Sequence, residues 1–359
     1  MNNTICITIQ TLEKGGAEKQ SMLLAKQLQE NYKTILVVLR GELIDTKNYE
    51  YVLNNGITII LLKGNILKRS ILFYNLIKKE NVTVLFTYLT SANIFGALIS
   101  KIAKVKYVFS GIRNSQLPLI KSTLQKIITN YFTYGTIINN HTGSAYFSEK
   151  GFNRNKIHVV HNGIEILLNN IVRNDNEEIT ILTVARFVEQ KNWMLALRSI
   201  KYLCELLLNS KYKIKYSIVG YGEEEDNIRQ NIIRYGLTSY ADIFINPDCI
   251  ENYYLNSDIY LSTSYFEGLS NTIMEAMNYS LPIVASNVGD NKYLIKNGES
   301  GVLIDSYNHK EYGRALYDLV VDYNKRTHQG NNSYLILKEK FSAKILQQKY
   351  ISIIENLDA

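Results

Sequence analysis

Two carboxylates eight positions apart, Glu267 and Glu275, flank a short glycine-containing stretch that reads Ser264-Tyr265-Phe266-Glu267-Gly268-Leu269-Ser270-Asn271-Thr272-Ile273-Met274-Glu275-Ala276-Met277. A β-rich run precedes it and a helical pattern follows, with Ser270 placed to cap that helix. Glu267 then belongs to the loop and Glu275 to the first or second turn. Backbone N–H groups from Gly268 to Ile273 point out of the helix start, where an anion is favoured. A carboxylate suits a sugar or ribose diol, because two O–H donors meet one acceptor group. The spacing alone also suits two solvated acids.

A pair of cations offers the complementary chemistry. Arg186 follows the strand-like run Ile181–Ala185, and Lys191 precedes a helical pattern that opens near Asn192. Both can meet one anion at a helix N-terminus, and a flat fork beside a point charge suits a diphosphate. Two unrelated surface cations would have the same spacing.

Other glycine turns are less specific. Gly15-Gly16-Ala17-Glu18 joins the first strand to the first helix, and paired glycines let backbone approach a ligand or simply turn tightly. A dinucleotide fingerprint would need G-x-G-x-x-G and a later acid; here the second strand ends in Arg40, the sole support for NADP binding. Gly220-Tyr221-Gly222 runs straight into Glu223-Glu224-Glu225-Asp226, whose charge complements the helix dipole and repels phosphate. That segment reads as a turn. His158 and His161 have no acidic partner at metal-ligand spacing. The chain contains no Asp-x-Asp, GxSxG, HExxH or P-loop, so no metal is expected.

The elements that must position these residues alternate. Strand candidates are Thr4–Thr11, Thr34–Leu39, Ile57–Leu62, Val82–Tyr88, Tyr107–Gly111, Gly135–Asn139 and Ile157–His161, with helices at Ala17–Gln29, Ile66–Lys79, Ser91–Ala103 and Lys121–Phe132. After a polar linker, Asn169 to Glu178, the alternation restarts. Strands are expected at Thr180–Ala185, Lys215–Val219, Ile243–Ile245, Ile259–Ser262, Ile283–Ser286 and Gly301–Ile304. Helices are expected at Asn192–Leu208, Glu223–Tyr235, Asn271–Asn278, Lys310–Asn324 and about Lys338 to Asn356. The fold class is therefore α/β, two parallel sheets covered by helices, with a ligand expected in a cleft at the carboxyl edges of the strands.

Composition agrees. A chain of 359 residues, 46% hydrophobic and 20% charged, is an ordinary globular sequence of two domains. Cys6, Cys204 and Cys249 lie far apart, which excludes a disulfide framework and fits a reducing compartment. No apolar run approaches the roughly 20 residues of a membrane span, and the opening Met1-Asn2-Asn3 does not begin a signal peptide. A cytosolic protein is expected. The net charge of +7 is uneven, because residues 1–165 hold 20 Lys and Arg against 9 Asp and Glu. The first half should face something anionic, or carry a solvated lysine-rich surface.

Taken together, the GGAE turn at 15–18, His161-Asn162-Gly163-Ile164, Val184-Ala185-Arg186 with Gln190-Lys191-Asn192, Val219-Gly220-Tyr221-Gly222, the Glu267-x7-Glu275 motif and Leu281-Pro282-Ile283-Val284-Ala285-Ser286 resemble the GT-B retaining glycosyltransferases of family 4 (glycosyl transferases group 1). The resemblance covers essentially the whole chain. It implies two Rossmann-like βαβ domains facing each other across a cleft: residues 1–165 for the acceptor, 166–340 for the nucleotide-sugar, and 341–359 a helix able to cross back. Arg186 and Lys191 would hold the diphosphate, Glu267 the transferred sugar and Glu275 the ribose. Gly15, Gly16 and the amides of Gly268, Leu269, Ser270 and Asn271 would lie against the phosphates. Many members carry a histidine where this chain reads Gly111-Ile112-Arg113-Asn114-Ser115, so Arg113 would take over sugar or phosphate contacts. A glycine common in the base-binding segment is replaced by Asn246-Pro247.

The expected activity is a metal-independent, retaining hexosyl or N-acetylhexosaminyl transfer, without a cofactor. It runs from a nucleotide-sugar, UDP-linked, to a lipid-linked glycan in O-antigen or capsule assembly. The alternatives are an NADP-dependent oxidoreductase and a non-catalytic GT-B partner subunit. No nucleic acid partner is expected. An anionic membrane surface is expected to be met by the N-terminal domain on the inner face of the cell membrane. Lys63, Lys68, Arg69, Lys78 and Lys79 surround the helix Ile66–Lys79. Lys121 and Lys126 accompany a stripe of Ile120, Leu124, Ile127 and Tyr131. The competing expectation packs both stripes on the sheet.

Overall fold

Each of the two sheets begins in its middle. In the computed structural model, which describes residues 3–113, 115–167, 171 and 173–357, the chain divides into one unit of Met1–Ile164 with Phe341–Ala359 and a second of Glu165–Lys340. Asn114 and the linker residues Asn169, Asn170 and Val172 lie outside the described residues.

The first unit holds strands β1 (Thr4–Ile9), β2 (Lys33–Val38), β3 (Thr58–Leu61), β4 (Val82–Tyr88), β5 (Tyr107–Ile112), β6 (Gly135–Ile138) and β7 (Ile157–Val159). They pair in the order β3-β2-β1-β4-β5-β6-β7, all parallel. β1 is buried along its whole length, as a strand covered on both faces must be. Its alternate residues serve two cores. Ile5, Ile7 and Ile9 pack with Leu24, Leu28 and Leu346, whereas Cys6 packs with Phe73, Ile77 and Ala92. The helices Gly16–Leu28 and Ala343–Glu355 thus share one face, and Ile66–Lys79 and Thr90–Ala103 cover the other.

The C-terminal helix predicted from about Lys338 begins much earlier and is broken. One helix, Tyr323–Phe341, stops at Ser342, which turns extended (ψ 157°) and bridges to Ile164. Ile164 donates to the Phe341 carbonyl and accepts from Ala343, at 2.9 and 2.8 Å. These bonds take the place of the helical ones and end the first helix. Ser342 then caps Ala343–Glu355 by accepting from the Ile345 amide.

The second unit holds β8 (Glu178–Val184), β9 (Lys213–Gly220), β10 (Ala241–Ile245), β11 (Ile259–Ser262), β12 (Ile283–Ser286) and β13 (Gly301–Ile304), in the order β10-β9-β8-β11-β12-β13. All of its pairs are parallel. The strand order reverses between β1 and β4 in one unit and between β8 and β11 in the other. Loops that leave the carboxyl ends of such strands diverge, so a ligand is expected at each switch point. Among the described residues no helix is long and apolar enough to cross a membrane.

Candidate functional site

The loops that leave β8 and β11, at the switch point of the second sheet, carry Arg186, Lys191 and Glu267. They are stitched together by backbone. The Tyr265 amide donates to the Gln190 carbonyl at 2.9 Å, and the Gln190 side chain returns a bond to the Phe266 carbonyl at 2.7 Å. The Thr263 hydroxyl donates to the Lys191 carbonyl at 3.0 Å. Residues 76 apart in sequence thereby meet: Lys191 Nζ lies 2.5 Å from Glu267 Oε1, and the two side chains are only 16% and 9% exposed. Ser264 Oγ donates to the same carboxylate oxygen at 2.7 Å.

Arg186 completes the cation pair differently. Its side chain is exposed and makes no ion pair or side-chain hydrogen bond among the described residues. The loop beneath it is anchored by Phe187, fully buried and edge-on to Trp193, whose indole N–H donates to the Arg186 carbonyl. The turn Gly220-Tyr221-Gly222 lies directly against this loop. A Cβ at Gly220 would strike the Ala185 carbonyl, and one at Gly222 the Phe187 backbone. Those glycines shape the Arg186 loop, which agrees with their reading as a turn.

Beyond Glu267, Gly268 is half-buried and Leu269 buried. Ser270 caps the helix Asn271–Asn278 by accepting from the Ile273 amide at 3.4 Å, and Asn271 opens it. A neighbour without any local sequence signal holds this turn. Gly289, at φ +57°, lets the loop after β12 pass so close that a Cβ there would collide with the Glu267 carbonyl, and Asp290 N–H bonds the Gly268 carbonyl at 2.9 Å. One turn into the helix, Glu275 Oε2 accepts from the Tyr254 hydroxyl at 2.8 Å. Tyr254 is buried and stacked on Tyr279. Burial first, then the neighbouring Glu275, pushes its phenol well above the usual tyrosine range, so it remains a donor. Asn246 adopts φ +42°, the left-handed conformation that glycine would otherwise supply there.

In the first unit, Gly15 and Gly16 start the helix Gly16–Leu28, but that helix brings its own acid. The Glu18 carboxylate sits over Gly15, where a Cβ would overlap it, and accepts from Thr11 Oγ1 at 3.4 Å. Burial raises its pKa. Arg113, at the end of β5, donates to Asn162 Oδ1 at 3.0 Å and to the Tyr350 hydroxyl at 3.2 Å, and its guanidinium lies 4.2 Å from the Tyr88 ring centre. Its Nε has no partner. Arg40, which would favour NADP, is turned to Glu42 at 3.4 Å.

Residues 167–335, a little under half of the chain, match the family model described as glycosyl transferases group 1. The chain is 22% identical to the lipopolysaccharide core biosynthesis glycosyltransferase LpsE of Rhizobium meliloti over 48% of its own length and 49% of that protein's, so it spans about half of this relative. It is 24% identical to an Escherichia coli UDP-Gal:alpha-D-GlcNAc-diphosphoundecaprenol alpha-1,3-galactosyltransferase, over 71% of each. Among solved structures, Anabaena HepE in complex with UDP aligns with a TM-score of 0.82 at 16% identity, over 98% of this chain and 99% of that one. The fold is GT-B, and the matches support a glycosyltransferase family.

Proposed function

We propose that the protein is a retaining glycosyltransferase of family 4 that moves a hexosyl or N-acetylhexosaminyl group from a UDP-sugar to a lipid-linked glycan. The setting is bacterial surface polysaccharide assembly, O-antigen or capsule. The observation that carries this reading is the convergence at one switch point of an unpartnered Arg186, the Lys191–Glu267 pair and a Glu275 oriented by Tyr254. Arg186 and Lys191 hold the diphosphate together with the amides of the helix start after Ser270, Glu267 binds hydroxyls of the transferred sugar, and Glu275 binds the ribose. The first unit, 1–165 in outline, takes the acceptor.

The acceptor oxygen bonds to the anomeric carbon on the face from which the diphosphate departs. The carbon–phosphate oxygen bond breaks, and the acceptor's proton passes to the leaving oxygen. The protein then has to stabilise negative charge on the diphosphate and positive charge on the sugar ring. Two cations, Lys191 held by Glu267 and Arg186 on an anchored loop, serve the first need without a metal. Glu267, acidic and nearly buried, suits the second.

The test is transfer from a panel of UDP-sugars into a lipid-linked glycan extract, with and without EDTA. Turnover should survive chelation, and Glu267→Ala should lower kcat about 100-fold or more. Restoration by Mg2+ or Mn2+ of activity lost to EDTA would refute metal independence, and near-normal turnover of Glu267→Ala would refute the site.

A further inference from the structure

We propose that one face of the first unit, made by the helices Ile66–Lys79, Thr90–Ala103 and Leu119–Ile127 with the π-turn Ile128–Phe132, binds an anionic lipid bilayer by inserting the apolar stripe of residues 119–131. This deepens the reading of a lipid-linked acceptor and rests on it for its purpose, though lipid binding itself needs no transfer.

The helix that opens at Leu119 is inside out. In water an amphipathic helix turns its apolar stripe to the core. Here Leu119 is 82% and Ile120 76% exposed, and Leu124, Ile127 and Tyr131 also face outward. The buried positions are Ser122, Gln125, Ile128 and Thr129, three of them polar. Gln125 and Thr129 belong to a polar network, with Gln125 Nε2 3.5 Å from Thr129 Oγ1. Gln125 Oε1 accepts from Asn93 Nδ2 at 2.8 Å, Asn93 Oδ1 accepts from Thr87 Oγ1 at 2.7 Å, and Thr136 Oγ1 donates to Thr129 Oγ1 at 2.9 Å. Rolling the apolar stripe inward would strand these groups without partners, so the stripe is committed to the outside.

Adjoining helices extend the same chemistry. Ile66, Leu67 and Ile71 are exposed on the first, and Leu98 and Ile102 on the second, which packs against both neighbours. Single exposed apolar residues are ordinary, but runs on adjacent helices mark an interaction surface.

Charge decides among occupants. Between Tyr51 and Ser148 the chain has 11 Lys and Arg and a single acid, Glu80, which is engaged by Lys33 at 2.7 Å. Lys68, Lys101, Lys104 and Lys121 are exposed on or beside the three helices. A second copy of this face would oppose like charge to like. The acids beside these helices, Glu42 and Glu80, are each ion-paired, to Arg69 at 2.8 Å and to Lys33 at 2.7 Å. Apolar insertion framed by an excess of cations is the pattern that suits an anionic leaflet.

The experiment is cosedimentation of the whole chain with vesicles of phosphatidylcholine alone or enriched in phosphatidylglycerol, at low and high salt. Binding should require the anionic lipid and weaken with salt, since screening at about 0.1 M acts over roughly 10 Å. The triple change Leu119→Ser, Ile120→Ser, Leu124→Ser should lower partitioning roughly tenfold or more while leaving the melting temperature unchanged. Lys101→Gln with Lys121→Gln should lower it at low salt only, and serves if the triple variant fails to fold. Absence of binding to anionic vesicles at low salt overturns the proposal, as does binding that neither variant weakens. A concentration-dependent dimer abolished by the triple change would assign the face to a second copy and overturn it too. UDP-induced stabilisation of the wild type separates the two claims: if vesicle binding holds and UDP has no effect, the transferase reading fails and the surface stands.

Discussion

Lys191 and Glu267 form a nearly buried ion pair, Nζ to Oε1 at 2.5 Å, between loops that leave two neighbouring parallel strands. Each neutralises the other, and Ser264 takes a second position on the carboxylate. On the proposed reading, a diphosphate beside Arg186 would compete for a lysine that is already held in place, rather than order a free one.

That coupling can be measured. Lys191→Met leaves the carboxylate with only its serine and should cost about 1–3 kcal/mol of stability. Adding Glu267→Gln to it should cost less than the sum of the two single changes, because the uncompensated charge is then gone. Additive losses in denaturant titrations would show that the pair contributes nothing.

Tyr254→Phe removes only the hydroxyl that orients Glu275, 2.8 Å away. Donor affinity should fall about threefold to tenfold, the worth of one hydrogen bond, with kcat little changed. A fall in kcat at constant KM would move Glu275 from ribose binding to the chemical step.

The helix at 119–131 should show reversed sensitivity in solution. Gln125→Leu leaves one buried Asn93 Nδ2–H without an acceptor and should destabilise by about 1–3 kcal/mol, whereas Leu124→Ser, on the exposed stripe, should change stability by no more than about 0.5 kcal/mol. Thermal melts of both variants decide it, and the ordinary order of severity would contradict the inverted packing.

Stability should decline on the alkaline side. Burial pushes the thiols of Cys204 and Cys6 up to about 11 and about 12, and the phenol of Tyr312 to about 12, from ordinary values of 9.0 and 10.0. The native state then keeps protons that the unfolded chain has released, so each group's contribution is full below its unfolded pKa and is lost as pH rises through its folded one. Melting temperature should fall from about pH 9 to pH 12, and Cys204→Ala should flatten the first part of that fall. A flat profile over this range would contradict the burial of these groups.

Much of this was legible in the residues, because strands covered on both faces must be apolar and turns between them must be small. The runs at Val82–Tyr88, Ile259–Ser262 and Ile283–Ser286 fall where β-rich composition puts them, and the helix Asn271–Asn278 is announced by its cap. Thr46–Asn54 and His141–Glu149 bury only one and two residues, so neither carries a sustained apolar period to read. Both depend on capping side chains, Asp45 and Asn140. Tyr323–Phe341 hid for a related reason: it buries Arg326, Gln329 and Ser333 first, and its apolar burial, by Tyr334, Leu337 and Phe341, comes only in the second half. Residue type and order single out Arg186, Lys191, Glu267 and Glu275, and folding brings Lys191 against Glu267. Ser264, Tyr254 and Gly289 had no local signal, since their roles come from strands and loops brought together only by folding. The stripe of Ile120, Leu124 and Ile127 was plain, but periodicity cannot say which side faces in. The polar residues between them settle that.

The most direct test of the donor site needs no acceptor. The melting temperature of the wild-type chain should rise with UDP, by the equivalent of about 2.7 kcal/mol at a hundredfold excess over Kd. The rise should vanish in the double variant Arg186→Ala, Lys191→Ala, whose unliganded melt still shows a cooperative fold. No shift with UDP in the wild type, or the same shift in the double variant, would contradict the assignment of these two cations to the diphosphate.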